Sequence, residues 1–243
     1  MNEQLIAKRL TGWTAILGAI FACLNPTLVI MAVGDDTGML LHGATVLALP
    51  PDTRNLYRWA MLVDILGFYL PFVVIGAYLW RGFRDQARVL GDIALLAIAL
   101  YAVFGIAGAS MQQAAINPLA HLHAGGDDTV KAATEAAWTA LANAVQNGLW
   151  WAEGPVLCFW GLTTARQLKK SGWGWFSPLL LKVVAYLYAL FFVLGFFPEL
   201  GEATELLVTV AVLAFPLWML IFGWQLLRRP IAARSTLIAD GAH

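Results

Sequence analysis

The segment from Trp59 to Trp80 reads WAMLVDILGFYLPFVVIGAYLW and holds a single charged residue, Asp64. A hydrocarbon core about 30 Å thick needs about 20 helical residues at 1.5 Å each. A stretch this long and apolar, with a tryptophan at either end suited to the headgroup interface, reads as a membrane-crossing helix. Five further stretches have the same character: Trp13 to Val33, Val89 to Ser110, Asn143 to Thr164, Phe176 to Phe197 and Leu206 to Leu227. The expectation is an all-α, polytopic transmembrane bundle of six helices. It forms one integral membrane domain over residues 1–243 and leaves no length for a second.

Composition agrees, with 60% hydrophobic and only 12% charged residues and a mean hydropathy of +0.71. Such a chain is too apolar for a soluble domain. Lys8 and Arg9 before an apolar run are similar to the start of a signal sequence, but no convincing small-residue cleavage site follows. Basic residues are held back from translocation. Lys8, Arg9, Arg81, Arg84, Arg88, Arg166, Lys169, Lys170, Arg228, Arg229 and Arg234 fall on one side of the six spans, against Arg54, Arg58 and Lys131 on the other. Both termini are therefore expected in the cytoplasm, with the chain multi-pass in the cell inner membrane. Asp35, Asp36, Asp52, Asp127, Asp128, Glu135, Glu199, Glu202 and Glu205 take the opposite side, so a formal net charge of zero hides a polarised molecule.

Trp13, Trp80, Trp173, Trp175 and Trp224 near inner ends, and Trp59 near an outer one, read as interfacial anchors. Cys23 and Cys158 lie inside spans and are expected to be free, buried thiols. The basic residues sit in short juxtamembrane loops, which points to membrane lipids as partners and excludes nucleic acid.

Polar residues inside the spans mark where a site could lie. Glu135, Thr139, Asn143, Gln146, Asn147, Trp150 and Glu153 recur at spacings of three and four, within an arc of about 120° if the helix is continuous. Lipid cannot hydrogen-bond Asn or Gln, so that stripe should face the bundle or a cavity. Glu153 falls close to the bilayer centre, where an isolated carboxylate costs at least about 2.5 kcal/mol and must be paired, hydrated or protonated. Asp64 sits nearer the outer side of the second span. Tyr69 and Pro71 follow it, and the proline frees backbone carbonyls that could line a cavity. Asn25 and Pro26 interrupt the first span at comparable depth. The candidate ligand-binding or proton-carrying residues are thus Asp64, Glu153, Asn147, Gln146, Asn143, Trp150, Tyr69 and Asn25. Interhelical hydrogen bonding alone would also explain the amides.

Other features read more plainly. Asp92 and Lys182 lie equally shallow at inner helix ends and could form a structural pair, or snorkel separately. His121 and His123 form an H-x-H in an outer loop, but without a reliably spaced fourth ligand no metal is expected. Met39 to Leu49 is apolar but too short to span, and could lie in the interface or dip back as a lid. Gly18 with Ala22, and Gly105 with Ala109, read as packing seams. No phosphate-binding glycine loop, H-E-x-x-H, G-x-S-x-G or other cofactor motif is present, so no cofactor is expected.

The run Leu56 to Leu70, LYRWAMLVDILGFYL, resembles bacterial multi-pass membrane proteins of a six-span family of unknown function. The aromatic fifth span and the Leu217 to Leu220 region are similar in style. The resemblance implies a six-helix bundle with a shared acid at Asp64 and no established reaction; Glu153 lies outside it. Three functional expectations follow: a polar cavity open to the outside that binds or moves a small amphipathic or cationic compound, an intramembrane acid-base enzyme of the isomerase or cyclase type acting on a lipid-like substrate, or a structural or accessory subunit. Catalytic residues, ligand identity and oligomeric state stay open.

Overall fold

The computed structural model describes residues 3–34 and 36–230. Asp35 and Arg234, counted above among the sided charges, lie outside the described residues. Among those described there is no strand. The chain runs through α1 (Glu3–Val33), a 3₁₀ turn (Thr37–Leu41), α2 (Gly43–Leu47), α3 (Pro51–Asp64), a π-helical turn (Ile65–Tyr69) and α4 (Leu70–Ala87). It continues through α5 (Val89–Gly125), α6 (Asp128–Ala144), a second π-helical turn (Val145–Leu149), α7 (Glu153–Lys170), α8 (Phe176–Leu194), a 3₁₀ turn (Pro198–Leu200) and α9 (Gly201–Arg228).

Among the described residues five helices are long and apolar enough to cross a membrane: α1, the continuous Pro51–Ala87 rod, α5, α8 and α9. They correspond to the first, second, third, fifth and sixth expected spans. The expected fourth span is instead divided. Trp150 N reaches back five residues to Val145 O at 2.9 Å, and Glu153 N and Gly154 N then close tight three-residue turns on Trp150 O and Trp151 O, each at 3.2 Å. Pro155 has no N–H to offer Trp151 O, which explains why the ladder re-forms only from Glu153 onward. The same cause acts in the second rod. Leu70 N bonds Ile65 O, and Pro71 cannot donate, so the carbonyl of Leu66 loses both its i+4 and i+5 donors.

Packing follows small residues. α1 lies along α9, where Gly12 and Gly223 bring the two backbones together: a Cβ on either would meet the other helix. α1 also packs on the second rod, where Gly67 faces the backbone of Ala22 and Gly18 faces Pro71, so the Gly18 and Ala22 seam forms as expected. α7 sits between α5 and α8, and α8 leans on α9. The main core is aromatic, with Phe72 and Phe215 at 4.3 Å between centroids and Trp160 and Trp218 set edge to face at 5.8 Å. Outward, α1, α5, α8 and α9 expose Leu, Val, Ile and Phe over most of their length. A face this apolar has a bilayer as its natural solvent.

The two ends differ. At one, residues 37–49 neither span nor hang free. Leu40, Val46 and Leu47 are buried against Tyr57, Ile116 and Trp138, which forms a second core. Trp138 Nε1 donates to Leu40 O at 2.9 Å, Gly43 N donates to Thr139 Oγ1 at 3.1 Å, and Arg54 Nη1 donates to Leu49 O at 2.8 Å. At the other end, Lys8 is only 9% exposed and its ammonium caps α9 by donating to Leu227 O (3.2 Å) and to Arg229 O. Arg229 stacks on Trp173 at 4.4 Å and Arg228 on Trp224 at 3.9 Å, so basic and aromatic anchors act in pairs. Trp13, Trp59, Trp175 and Trp224 are exposed, whereas Trp138, Trp160 and Trp218 belong to the cores. Both cysteines are free, but Cys23 is exposed on the outer face of α1 rather than buried, and Cys158 is half-buried.

Candidate functional site

Asp64 is the last residue of α3 and Glu153 the first of α7, so each acid stands where its helix breaks. The breaks turn both side chains inward: Asp64 is 8% exposed and Glu153 4%. Tyr69 closes the first π-helical turn, and its side chain lies close to both carboxyls. Gly105 of α5 makes room for that ring, since a Cβ there would overlap it. Tyr101 flanks it at 5.2 Å between centroids, and Tyr101 meets Tyr188 of α8 edge to face at 6.5 Å. Glu153 Oε1 has no hydrogen-bond partner. Among the described residues neither acid forms an ion pair; the one ion pair joins His123 Nε2 to Glu135 Oε1 at 2.8 Å, far along the chain from both acids.

A phenol between two carboxyls has a definite chemistry. Its O–H donates to an ionised carboxylate, and its oxygen accepts from a protonated one. A single proton or small cation held among the three groups satisfies all of them. With both acids ionised and nothing between, two like charges would face each other in apolar surroundings.

The remaining candidates separate. Asn25 Nδ2 donates to Ala60 O at 2.9 Å, tying α1 to α3 one turn before Asp64. Asn143 Nδ2 donates to Thr139 O (2.8 Å), and the exposed Asn147 donates to Asn143 Oδ1 (3.0 Å). Gln146 is half-exposed in the second π-helical turn. The seven-residue stripe is therefore not one surface. A π-helical turn inserts a residue and swings everything beyond it by about 100°. Glu135, Thr139 and Asn143 instead line an open groove of about 570 Å³ with His42 and α2, and Glu153 turns into the core. Trp150 packs against Gly108 with its indole N–H buried and unpartnered, while Trp151 stacks on Phe192 at 4.2 Å and donates to Phe192 O at 3.0 Å.

The Asp92 to Lys182 pair is not formed. Asp92 Oδ1 accepts from Trp80 Nε1 at 2.8 Å, because α5 lies beside α4 at this end, while α8 packs on α7 and α9. His123, read above with His121, is engaged by Glu135.

Four participants were not anticipated. Tyr57 donates to Gln112 Oε1 across a fully buried contact two helical turns from Asp64, and Gln112 is 1% exposed with its Nε2 unpartnered. Tyr101 and Tyr188 flank the acids. Tyr57 precedes Asp64 by seven residues and so shares its helix face, which is the signal that could have found it; nothing local marks Tyr101 or Tyr188. Comparison with protein-family models, with curated proteins and with solved structures finds no match to this chain.

Proposed function

We propose that this is a six-crossing inner-membrane protein, with both termini cytoplasmic, that binds or moves a small cation or cationic amphipathic compound at Asp64, Tyr69 and Glu153. In this reading the α6–α7 path, broken at Val145–Leu149, is the sixth crossing, and the end carrying Lys8, Arg84 and Arg229 is cytoplasmic by its excess of basic residues. The carrying observation is that two buried carboxyls from two interrupted helices converge on one phenol with no basic side chain paired to either. Interrupted helices with freed carbonyls at mid-depth are a recurring way to build cation sites in transporters. Intramembrane acids are functional by default. Kinship with the six-span family, carried by Leu56 to Leu70, belongs to the same proposal.

The test is thermal stability of the purified protein against a panel of monovalent cations, organic amines and lipids, in wild type, Asp64→Asn and Glu153→Gln. A compound that raises the melting temperature of wild type alone supports the site. If nothing in the panel stabilises wild type and both variants match it, the accessory reading takes the lead. The unpartnered Glu153 Oε1 favours one second reading, in which Tyr69 and the two acids act as general acid and base on a lipid-like substrate. Turnover lost in both variants with binding retained would mark it.

A further inference from the structure

The buried polar groups do not end at the two acids. Gln112 of α5 and Tyr57 of α3 meet on the outer side of Asp64, and above them Asn117 Nδ2 donates to Asn55 Oδ1 at 3.2 Å at the surface. On the cytoplasmic side an aromatic block intervenes. Phe72 packs edge-on against Tyr101 at 5.8 Å and against Trp160 at 5.5 Å, and Phe215 and Trp218 complete it. Thr164, Gln167 and Ser177 are buried beyond it, so the block separates the two acids from the polar groups at that end.

We propose that Asp64, Tyr69 and Glu153 form a proton relay, loaded from the outer face along the Gln112 and Tyr57 seam and closed towards the cytoplasm by the aromatic block. This rests on the cation-site reading and names its ion. Two observations carry it. Tyr69 stands close to both carboxyls, its ring fixed by the Gly105 recess and by Tyr101, and the unpartnered Glu153 Oε1 is buried at the far end of the series. The titratable groups that face the acids are Tyr57, Tyr69, Tyr101 and Tyr188, from α3, the first π-helical turn, α5 and α8.

The transfer step balances without a charged phenol. A protonated Glu153 gives its proton to the Tyr69 oxygen as the Tyr69 O–H proton passes to the Asp64 carboxylate. The Glu153 O–H bond and the old Tyr69 O–H bond break, and a new Tyr69 O–H bond and an Asp64 O–H bond form. The phenol ends as it began, with its hydrogen bonds reversed. The reverse step loads Glu153 from the outer side.

Infrared spectroscopy of the full chain in lipid bicelles reads this directly. The wild type should show a carboxylic-acid C=O band near neutral pH that is lost in the Asp64→Asn/Glu153→Gln double variant, and transfer into D₂O should shift that band as its proton exchanges. Tyr69→Phe keeps the ring in the Gly105 recess but removes the hydroxyl, and should slow the shift by on the order of tenfold or more while helix content stays at the wild-type level, which shows that the variant is folded. A band absent from wild type, or exchange equally fast in Tyr69→Phe, overturns the relay. The two proposals fail separately. An organic cation that stabilises wild type alongside Tyr69-independent exchange would keep the binding site and remove the relay. A silent ligand panel with Tyr69-dependent exchange would do the reverse.

Discussion

Replacing Gly105 with alanine tests the geometry of the site without touching its polar groups. In an open helical position the exchange is favourable by about 0.8–1 kcal/mol, because glycine is the more flexible in the unfolded chain. Gly82, exposed in α4 with nothing within 4 Å of a built Cβ, offers that open position as an internal reference. At Gly105 the added methyl would overlap the Tyr69 ring, which Tyr101 and the two acids hold from the other sides. Overpacking a filled core costs about 1–3 kcal/mol. Set against the helix gain, the net effect is a loss of about 0–2 kcal/mol, and the difference between the two variants is about 1–3 kcal/mol. Unfolding of each variant in bicelles, with Tyr69→Ala and Gly105→Ala/Tyr69→Ala to complete a double-mutant cycle, isolates the contact. The cycle should show a coupling of that size, because the double variant has no ring to displace. If Gly105→Ala stabilises as much as Gly82→Ala does, or the cycle gives no coupling, Tyr69 does not occupy the recess and the convergence of the two acids on it is wrong.

Further outcomes follow from single contacts. Trp138→Phe removes the donor to Leu40 O inside the second core and should cost about 1–3 kcal/mol, with faster amide exchange across Gly43–Leu47 read by mass spectrometry. Lys8→Met takes away the cap on α9 and should cost about 1.5–3 kcal/mol, with amide exchange rising first near Gln225 to Arg229. Lys182→Met should leave the unfolding free energy within about 0.5 kcal/mol of wild type, whereas Asp92→Ala should lower it by about 1 kcal/mol through the lost Trp80 bond; equal effects of the two would restore an Asp92 to Lys182 pair.

Much of the fold was legible in the chain because its solvent imposes a one-dimensional rule. A run such as Trp59 to Trp80 must be helical and about that long wherever it sits, and the five apolar helices match the expected spans for this reason. Pro71 also announced its effect, since it withholds a donor whatever the neighbours do, whereas the same consequence of Pro155 was missed. The fourth span was misjudged as continuous, because the period that placed Glu135 and Glu153 on one face holds only for an unbroken helix. One π-helical turn shifts that phase, and nothing in residues 145–149 considered alone requires it. Asp92 went to Trp80 rather than Lys182 by the order in which helices pack, which equal depth in the membrane does not encode.

The site divides in the same way. Sequence alone determined that Asp64 and Glu153 are acids deep in apolar helices and therefore need a partner, since desolvating a carboxylate is costly in any arrangement. Only the tertiary structure decided that Tyr69 stands beside both, that Gly105 admits its ring, and that Tyr57 with Gln112 lies to one side of the acids and the block of Phe72, Trp160, Phe215 and Trp218 to the other. Those meetings depend on how each helix is rotated against its neighbours, and that rotation is set by side-chain volume at many contacts together rather than by any local run of residues.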